Sequence, residues 1–312
     1  MPHRDPHFPP PLAGLHGRPP PAEPWFTAAL AEAPERSALK VQGAPIEVLA
    51  WGRRGDPGLL LLHGNGAHAD WYSFLAPLLL PGRRVVALSF SGMGRSGWRT
   101  QYSRAQWSDE ALAVAEATGL LDAPVKPVVA GHSFGGLVLM DMAARHGQHL
   151  AKALIVDAPA RPPKRDDQAP RAEATRSARV YASEAEALAR FRLIPPQACP
   201  HPCIAHHIAT HGLKQVAGPD GRPGWVWRMD PHRFDHFHMG RPSQDLRQAR
   251  CPLVLVRGAE SRLLSAEGLA RMAQAAPAGT TTEAVPGADH HVMIDAPLAF
   301  AELLRRHVPP AA

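Results

Sequence analysis

The stretch KPVVAGHSFGGLVLMDMAARHG, residues 126–147, joins a short apolar run to a glycine-rich turn and then to an apolar segment long enough for a helix. Gly131, Ser133 and Gly135 match the pattern G-x-S-x-G within it. Between a strand and a helix, this pattern holds a serine on a sharp turn with its hydroxyl above the sheet. Glycines two residues to either side let strand and helix approach without a clash of β-carbons. The stretch therefore predicts that Ser133 is a nucleophile.

Short apolar runs alternate with helix-length segments on both sides of this stretch. The runs are GLLLLHG (58–64), RRVVALSF (83–90), KALIVD (152–157) and CPLVLVRG (251–258). Continuous apolar runs separated by helices are typical of parallel strands that are covered on both faces. They predict an α/β fold with a mostly parallel sheet and helices on both faces. Among the helices, we expect one in SRAQWSDEALAVAEATGL (103–120) that is N-capped by Ser108.

The chain divides into four predicted parts. Residues 1–25, rich in proline, histidine and arginine, are expected to form an extended, mostly disordered tail. The sheet pattern runs over residues 26–157, breaks after Asp157 and resumes over 249–312. The 158–248 segment between is too long for a simple connection and contains the helical sequence SEAEALARFRLI. We interpret it as an inserted, mainly helical cap over the sheet.

The composition indicates which cellular compartment and which kinds of binding partner to expect. The 312 residues contain no apolar run of membrane-spanning length, and the first residues lack the apolar core of a signal peptide. We therefore expect a cytoplasmic protein with no membrane association. The net charge is +6, but the arginines are scattered among acids, which argues against nucleic acid as a partner. We expect a small-molecule substrate and no cofactor. A homodimer is compatible with the sequence.

The three cysteines are too few for a disulfide framework. Cys199 and Cys203 lie in ACPHPCIAHH beside His201, His206 and His207, where a metal site is conceivable. Their spacing matches no familiar zinc pattern. We interpret these residues as part of the cap and expect no metal.

A serine hydroxyl needs a base and a site for the developing oxyanion. The segment VPGADHHVMIDAPLAF offers His290 and His291 directly after a predicted strand. The backbone N–H of Phe134, at the start of the helix, is one oxyanion donor. HGNGAH (63–68) follows another strand, and the N–H of Asn65 is the second candidate.

These residues and motifs resemble the α/β-hydrolase superfamily, in its capped branch of meta-cleavage-product hydrolases, small-molecule esterases and epoxide hydrolases. The matching blocks are LLHGNGAHADWYSFLAPLL, VVALSFSGMGRSGW, VVAGHSFGGLVLM, CPLVLVRGAES and VPGADHHVMIDAPLAF. The resemblance implies an α/β-hydrolase fold. In the family the last block reads G-H-x-x-x-x-E-x-P, and alignment on Pro297 places the catalytic histidine at His290, with Asp295 replacing the glutamate. Aspartate-dependent epoxide hydrolases and dehalogenases are excluded by Ser133.

The acid of the triad is not where the family pattern implies it. Most members have an aspartate three residues after the glycine that ends the strand of CPLVLVRG, and this chain has Ser261 there. Asp157, at the end of KALIVD, is the preferred alternative, because some members place the acid on that strand. Glu260 is the second alternative. A third is that neither serves and that Ser133 and His290 act as a dyad.

The resemblance implies hydrolysis of an ester through an acyl-enzyme on Ser133. Cleavage of a carbon–carbon bond, as in meta-cleavage-product hydrolases, and cofactor-free haloperoxidase chemistry are alternatives on the same residues. A catalytically weak small-molecule-binding protein is a rival of another class. Arginines and aromatic residues in the cap suit an apolar or aromatic substrate with a carboxylate. Arg192 and Trp227 are the candidate substrate-binding residues, although packing of the cap explains each of them as well.

Overall fold

The computed structural model of the chain describes residues 8–160, 179–218 and 221–311. Its strands are β1 (Glu35–Val41), β2 (Ala44–Trp51), β3 (Gly58–Leu62), β4 (Arg84–Leu88), β5 (Tyr102–Ser103), β6 (Val128–His132), β7 (Lys152–Val156), β8 (Leu213–Ala217), β9 (Pro223–Trp227), β10 (Phe237–His238), β11 (Leu253–Gly258) and β12 (Thr281–Val285). Its α-helices are α1 (Pro24–Ala31), α2 (Arg104–Ala117), α3 (Phe134–His146), α4 (Glu184–Leu188), α5 (Pro202–His211), α6 (Pro242–Arg247), α7 (Ala266–Ala275), α8 (Val292–Asp295) and α9 (Pro297–His307). Four 3-10 turns cover Ala13–Leu15, Ala69–Trp71, Ala76–Leu79 and Gly147–His149.

Eight strands form one central sheet in the order β1-β2-β4-β3-β6-β7-β11-β12. β2 runs antiparallel to β1 and β4, and all other neighbours in the sheet are parallel. The prediction of a mostly parallel sheet is therefore confirmed. Because β3, β6, β7 and β11 share one direction, the residues that follow them all emerge at the same edge of the sheet.

The core lies on both faces of this sheet. Along β3, Leu60 and Leu62 belong to one buried cluster, whereas Leu59 and Leu61 belong to the cluster on the opposite face. Successive side chains of a strand point to opposite faces, so a strand covered by helices on both sides must be apolar throughout. This burial explains the continuous leucine run that the sequence shows.

Helix α2 begins one turn earlier than we expected. Ser103, not Ser108, is its N-cap, and the Ser103 hydroxyl accepts a hydrogen bond from the Gln106 N–H at 3.0 Å. Ser108 is fully buried inside the helix. Glu110 is also fully buried, where it accepts a hydrogen bond from the Ser91 N–H and pairs with Arg99. Tertiary contacts thus explain the buried Glu110, whereas the Ser108 hydroxyl has no hydrogen-bond partner among the described residues.

The predicted insertion, residues 158–248, is less helical than expected. Besides the short helices α4, α5 and α6 it contains the antiparallel hairpin of β8 and β9. It is also tied to the core, because β10 pairs in parallel with β5. Residues 161–178 and 219–220 of the predicted insertion lie outside the described residues.

The N-terminal segment differs from the expected disordered tail. Residues 8–23 pack along the insertion, and Leu12 is 1% exposed in a cluster with Leu188, Ala205 and Leu213. Helix α1 then starts at Pro24. A buried leucine anchors a segment whose composition alone suggests disorder, whereas residues 1–7 lie outside the described residues. Within the described ranges, none of the helices is long and apolar enough to cross a membrane.

Candidate active site

Ser133 lies on the turn between β6 and α3. Its backbone has φ 54° and ψ −119°, a strained conformation for a residue with a side chain. A β-carbon on Gly131 would come within 2.5 Å of the Gly135 carbonyl oxygen, and one on Gly135 within 2.5 Å of the Leu62 carbonyl oxygen. Larger residues at these two positions would force the strand and helix apart, as the sequence pattern predicts.

A chain of two hydrogen bonds runs from Ser133 into the interior. The Ser133 hydroxyl lies 3.0 Å from Nε2 of His290, and Nδ1 of His290 lies 2.7 Å from Oδ2 of Asp157. His290 is 1% exposed and Asp157 is fully buried. Because Nδ1 faces a carboxylate it carries the ring proton, which leaves the Nε2 lone pair to accept from the serine hydroxyl.

Asp157 follows β7 and adopts φ 47°, which turns its carboxylate toward the end of the neighbouring strand β11. There it accepts hydrogen bonds from the Gly258 N–H at 3.1 Å and from the Ser261 hydroxyl at 2.8 Å. Ser261, at the family's usual acid position, therefore supports an acid that comes from the adjacent strand.

The structure does not bring Glu260, the alternative acid, to His290. Its side chain is exposed and has no hydrogen-bond or ion-pair partner among the described residues, while its N–H donates to the Ala288 carbonyl. Of the two carboxylates considered from the sequence, Asp157 alone contacts the histidine.

Two further histidines pack around His290. His132 lies next to Ser133 in the chain, and its Nε2 donates to the His290 carbonyl at 2.8 Å, which braces the histidine loop. The ring of His291, which the sequence also offered as the base, packs against Trp71 at 5.6 Å instead of meeting the serine. Burial lowers the pKa of both His132 and His291 well below the ordinary value, so both stay neutral near pH 7.

The loop after β3 lies directly beside the serine. A β-carbon on Gly64 would be 3.3 Å from the β-carbon of Ser133. No described residue accepts a hydrogen bond from the N–H of Asn65 or of Phe134. His63 braces the loop: Nδ1 donates to the Gly64 carbonyl at 2.7 Å, and Nε2 accepts from the Phe90 N–H at 3.0 Å. Burial lowers the pKa of His63 to about 3, so its ring is neutral.

The histidine loop is tied to the insertion through Gln197. Its side-chain amide donates to both carboxylate oxygens of Asp295, at 2.7 and 2.8 Å, and its Oε1 accepts from the His291 N–H at 3.0 Å. Asp295 also accepts from the Asp289 N–H at 2.9 Å. Burial raises the pKa of Asp295 to about 6. Gln197 could not be predicted from the sequence, because Asp295 and His291 lie 98 and 94 residues away in the chain.

Among the described residues, neither candidate substrate-binding residue of the insertion has a hydrogen bond, an ion pair or a ring contact with Ser133, His290 or Asp157. Trp227 packs within the insertion, 6.0 Å from the Phe191 ring. Arg192 is half-buried and has no hydrogen-bond or ion-pair partner among the described residues. The contacts come instead from Arg233, which donates to the Asn65 side chain, and from Phe234, whose ring lies 5.9 Å from that of Phe134.

The sequence did not indicate Arg233 and Phe234 as site residues, although both lie in the segment WVWRMDPHRF, close to the candidate Trp227. Nothing in the motif distinguishes an arginine that reaches the core from one that faces solvent. The pairing of position 233 with position 65 is purely tertiary.

Two groups among the described residues have the spacing of metal ligands. One is His132, His290 and His291, and the other is Asp70, His207 and His211. His290 already uses both ring nitrogens on Ser133 and Asp157, and Asp70 is paired with Arg36 at 2.6 Å. The cysteines of the conceivable metal site, Cys199 and Cys203, are free thiols and belong to neither group.

The sequence profile of the Alpha/beta hydrolase family matches residues 59–303, most of the chain. The chain belongs to this family, and its fold is the α/β-hydrolase fold. With relatives that are named esterases, it is a hydrolase.

Three comparisons illustrate the likeness. An esterase of Mycobacterium tuberculosis (strain ATCC 25618 / H37Rv) is 27% identical over 273 residues, covering 85% of this chain and 87% of the relative. Its solved structure aligns with a TM-score of 0.66 over 92% of this chain and 99% of that one, at 23% identity. A thioesterase domain from the curacin biosynthetic pathway has a TM-score of 0.71 at 22% identity, over 87% of this chain and 99% of the domain.

The likeness to a third relative is partial. A 2-hydroxymuconate semialdehyde hydrolase of Pseudomonas sp. (strain CF600) is 32% identical over 104 residues, which is 31% of this chain and 35% of the relative. The alignment thus spans about a third of that enzyme.

Proposed function

We propose that the protein hydrolyses carboxylic esters of small, apolar or aromatic molecules through an acyl-enzyme on Ser133. The observation that carries this proposal is the hydrogen-bond chain from Ser133 through His290 to Asp157, with 3.0 and 2.7 Å steps. In it, His290 takes the serine proton as Oγ attacks the carbonyl carbon, and Asp157 stabilises the imidazolium that forms. His290 then gives the proton to the departing alcohol.

The negative charge of the tetrahedral intermediate develops beside the Asn65 loop and the first residue of α3. The N–H groups of Asn65 and Phe134 are the proposed oxyanion donors, and the positive end of the α3 dipole adds to their field. Water, activated by the same histidine, then attacks the acyl-enzyme and releases the acid. All of these steps use groups of this chain.

Aromatic side chains next to Ser133 support an apolar or aromatic substrate. Phe134 packs against Trp107, Phe234 and Phe237, with ring centroids 5.3 to 5.9 Å apart. Phe234 and Phe237 belong to the insertion and are only partly buried. Such a wall binds an apolar group by removing its surface from water. The esterase name of the Mycobacterium tuberculosis relative agrees with an ester as the bond that is cleaved.

Cleavage of a carbon–carbon bond is the second candidate, and the partial likeness to 2-hydroxymuconate semialdehyde hydrolase is what favours it. In that case His290 would first move a proton on a dienol substrate before Ser133 attacks. Haloperoxidase-like chemistry would use the same residues. A cytoplasmic location, a homodimer and the absence of a cofactor stay predictions. The binding-protein alternative is weakened because serine, base and acid are all hydrogen-bonded in series.

Kinetics on matched substrates test the proposal. We would measure kcat/KM for p-nitrophenyl acetate, butyrate, octanoate and benzoate, and for a dienol ketone of the meta-cleavage type. Ester hydrolysis should depend on Ser133, be lost in S133A and favour the apolar acyl groups over acetate. Turnover of the dienol ketone with negligible ester hydrolysis would move the function to carbon–carbon cleavage.

A further inference from the structure

One arginine of the insertion reaches the loop beside the serine. Arg233 is 5% exposed, and its Nη2 and Nε lie 3.0 and 3.3 Å from the side-chain oxygen of Asn65. Its Nη1 also donates to the Asp230 carbonyl at 3.0 Å. The guanidinium also lies over the ring of Phe234, 4.6 Å from its centroid. A buried guanidinium is unfavourable unless its donors are used, and here they hold one side chain of the core.

The segment that carries Arg233 is fixed to the core independently of Asn65. The Tyr102 hydroxyl donates to Asp230 at 2.7 Å, and the Asp230 N–H donates to the Gly92 carbonyl at 2.8 Å. Tyr102 and Asp230 are both buried, at 2% and 5% exposure. Arg233 therefore projects from a rigid base.

The loop that Arg233 contacts is braced at Gly64, whose carbonyl accepts from His63 and from the Ala67 N–H, but the Asn65 backbone has no hydrogen bond to the described residues. Asn65 is exposed and stands between Gly64 and Gly66, and Gly66 adopts φ 70°. Glycines on both sides leave the orientation of the Asn65 peptide weakly restrained. Because Arg233 is fixed, its hydrogen bonds to the Asn65 side chain can set the orientation of the Asn65 peptide.

We infer that Arg233 is a positioning residue for the reaction proposed above: by holding the Asn65 side chain it aims the Asn65 N–H at the oxyanion. This inference rests on the proposed function, because it assigns the N–H of Asn65 to the intermediate. An oxyanion donor acts only if it is preorganised, since a donor that must reorient during the reaction loses part of its effect. The insertion thereby contributes to the chemical step itself.

The test is a double-mutant cycle on the whole protein with a p-nitrophenyl ester. R233M should lower kcat by about 10- to 100-fold with KM changed less than about threefold, because the loss falls on the transition state. R233K keeps the positive charge but not the paired N–H donors of the guanidinium, so its kcat should lie between those of wild type and R233M. N65A should lose a similar factor, and N65A/R233M should be no worse than about the more damaging single variant.

A second measurement separates positioning from a merely structural role. A trifluoromethyl ketone forms a tetrahedral adduct with an oxyanion, and its affinity should weaken in R233M by the same factor as kcat. The affinity for a ground-state competitive inhibitor should change little. R228M is the control, because Arg228 is a half-buried arginine of the same segment and donates to the Leu213 carbonyl at 2.8 Å, away from Asn65. It should retain kcat.

The outcomes are distinct. Wild-type kcat in R233M, or full additivity with N65A, overturns the role of Arg233 while Ser133-dependent turnover leaves the proposed function intact. Raised KM with unchanged kcat also overturns it and makes Arg233 a substrate-binding residue. Absence of Ser133-dependent turnover in the wild type overturns both. If R233M does not fold, as judged by circular dichroism, R233K and N65A carry the test, and wild-type kcat in both contradicts the inference.

Discussion

The two sides of the active site are built by different means. On the core side, Ser133, Asp157 and the Asn65 loop follow three parallel strands, and the backbone turns at the strand ends place them. On the insertion side, Arg233 and Phe234 reach the site through side-chain contacts, one of them between residues 168 positions apart. Residues that are placed by backbone turns are marked by a sequence motif. Residues that are placed by tertiary side-chain contacts are not.

The largest effect should come from the core side. S133A removes the nucleophile, and kcat for an ester should fall by at least about 10⁴-fold, with thermal unfolding nearly unchanged. Steady-state kinetics with p-nitrophenyl butyrate measure it. S108A is the control for a lost hydroxyl, because Ser108 is buried inside helix α2 and makes no hydrogen bond to the triad, and it should retain most activity. Residual turnover in S133A clearly above about 0.01% of wild type would contradict the account.

The acid of the triad can be moved from Asp157 to the neighbouring position of Ser261. D157S should lower kcat by about 10²- to 10⁴-fold, because His290 loses the group that stabilises its charged form. In the double variant D157S/S261D the acid stands on the neighbouring strand, where most of the family has it. Because the two side chains are hydrogen-bonded at 2.8 Å, we expect at least about tenfold recovery over D157S. Absence of recovery would show that only the Asp157 backbone presents the carboxylate correctly.

Part of the fold and of the candidate site could be predicted from the sequence. The G-x-S-x-G turn and the mostly parallel sheet follow from local pattern, and chain order calls for a late histidine. The choice of His290 over His291 came from the resemblance to the family. The choice between Asp157 and Glu260 needed coordinates, because it depends on where two adjacent strands end. Ser108 is not the helix cap, because Ser103 caps the helix one turn earlier and the buried Ser108 hydroxyl has no hydrogen-bond partner among the described residues. Leu12 shows that one buried side chain can anchor a proline-rich segment.

On the insertion side the effect should fall on binding. F234A should raise KM for p-nitrophenyl benzoate by about tenfold with kcat within about threefold, because it removes apolar surface that contacts substrate in ground and transition state alike. W227L, at a residue that packs within the insertion, should leave KM unchanged and lower the thermal midpoint by roughly 4 °C. A raised KM in W227L together with an unchanged KM in F234A would show that Trp227, and not Phe234, contacts the substrate.

The smallest effect concerns the hydrogen bond between the insertion and the core in which Asp295 accepts from Gln197. Its pKa rises from 3.8 to about 6, so the folded protein holds a proton that the unfolded chain loses between those values. The contribution of Asp295 to stability is therefore largest below about pH 4 and falls as pH rises through about 6. Allowing for its partial exposure, the loss should be about 2 kcal/mol.

Urea unfolding of wild type and D295N at pH 4.5 and 7 measures this effect. Wild type should lose stability relative to D295N on going to pH 7, because asparagine does not titrate. A difference between the two proteins that is the same at both pH values would show that the carboxylate has an ordinary pKa.

The central claim, that Ser133 is activated by His290 and the carboxylate of Asp157, is tested most directly by the rate of labelling with a fluorophosphonate. Intact mass would follow phosphonylation of wild type, D157N and E260Q, with S133A as the blank. The account predicts one adduct on wild type, none on S133A, labelling at least about 100-fold slower in D157N and unchanged labelling in E260Q. Wild-type rates in D157N together with slow labelling of E260Q would contradict it.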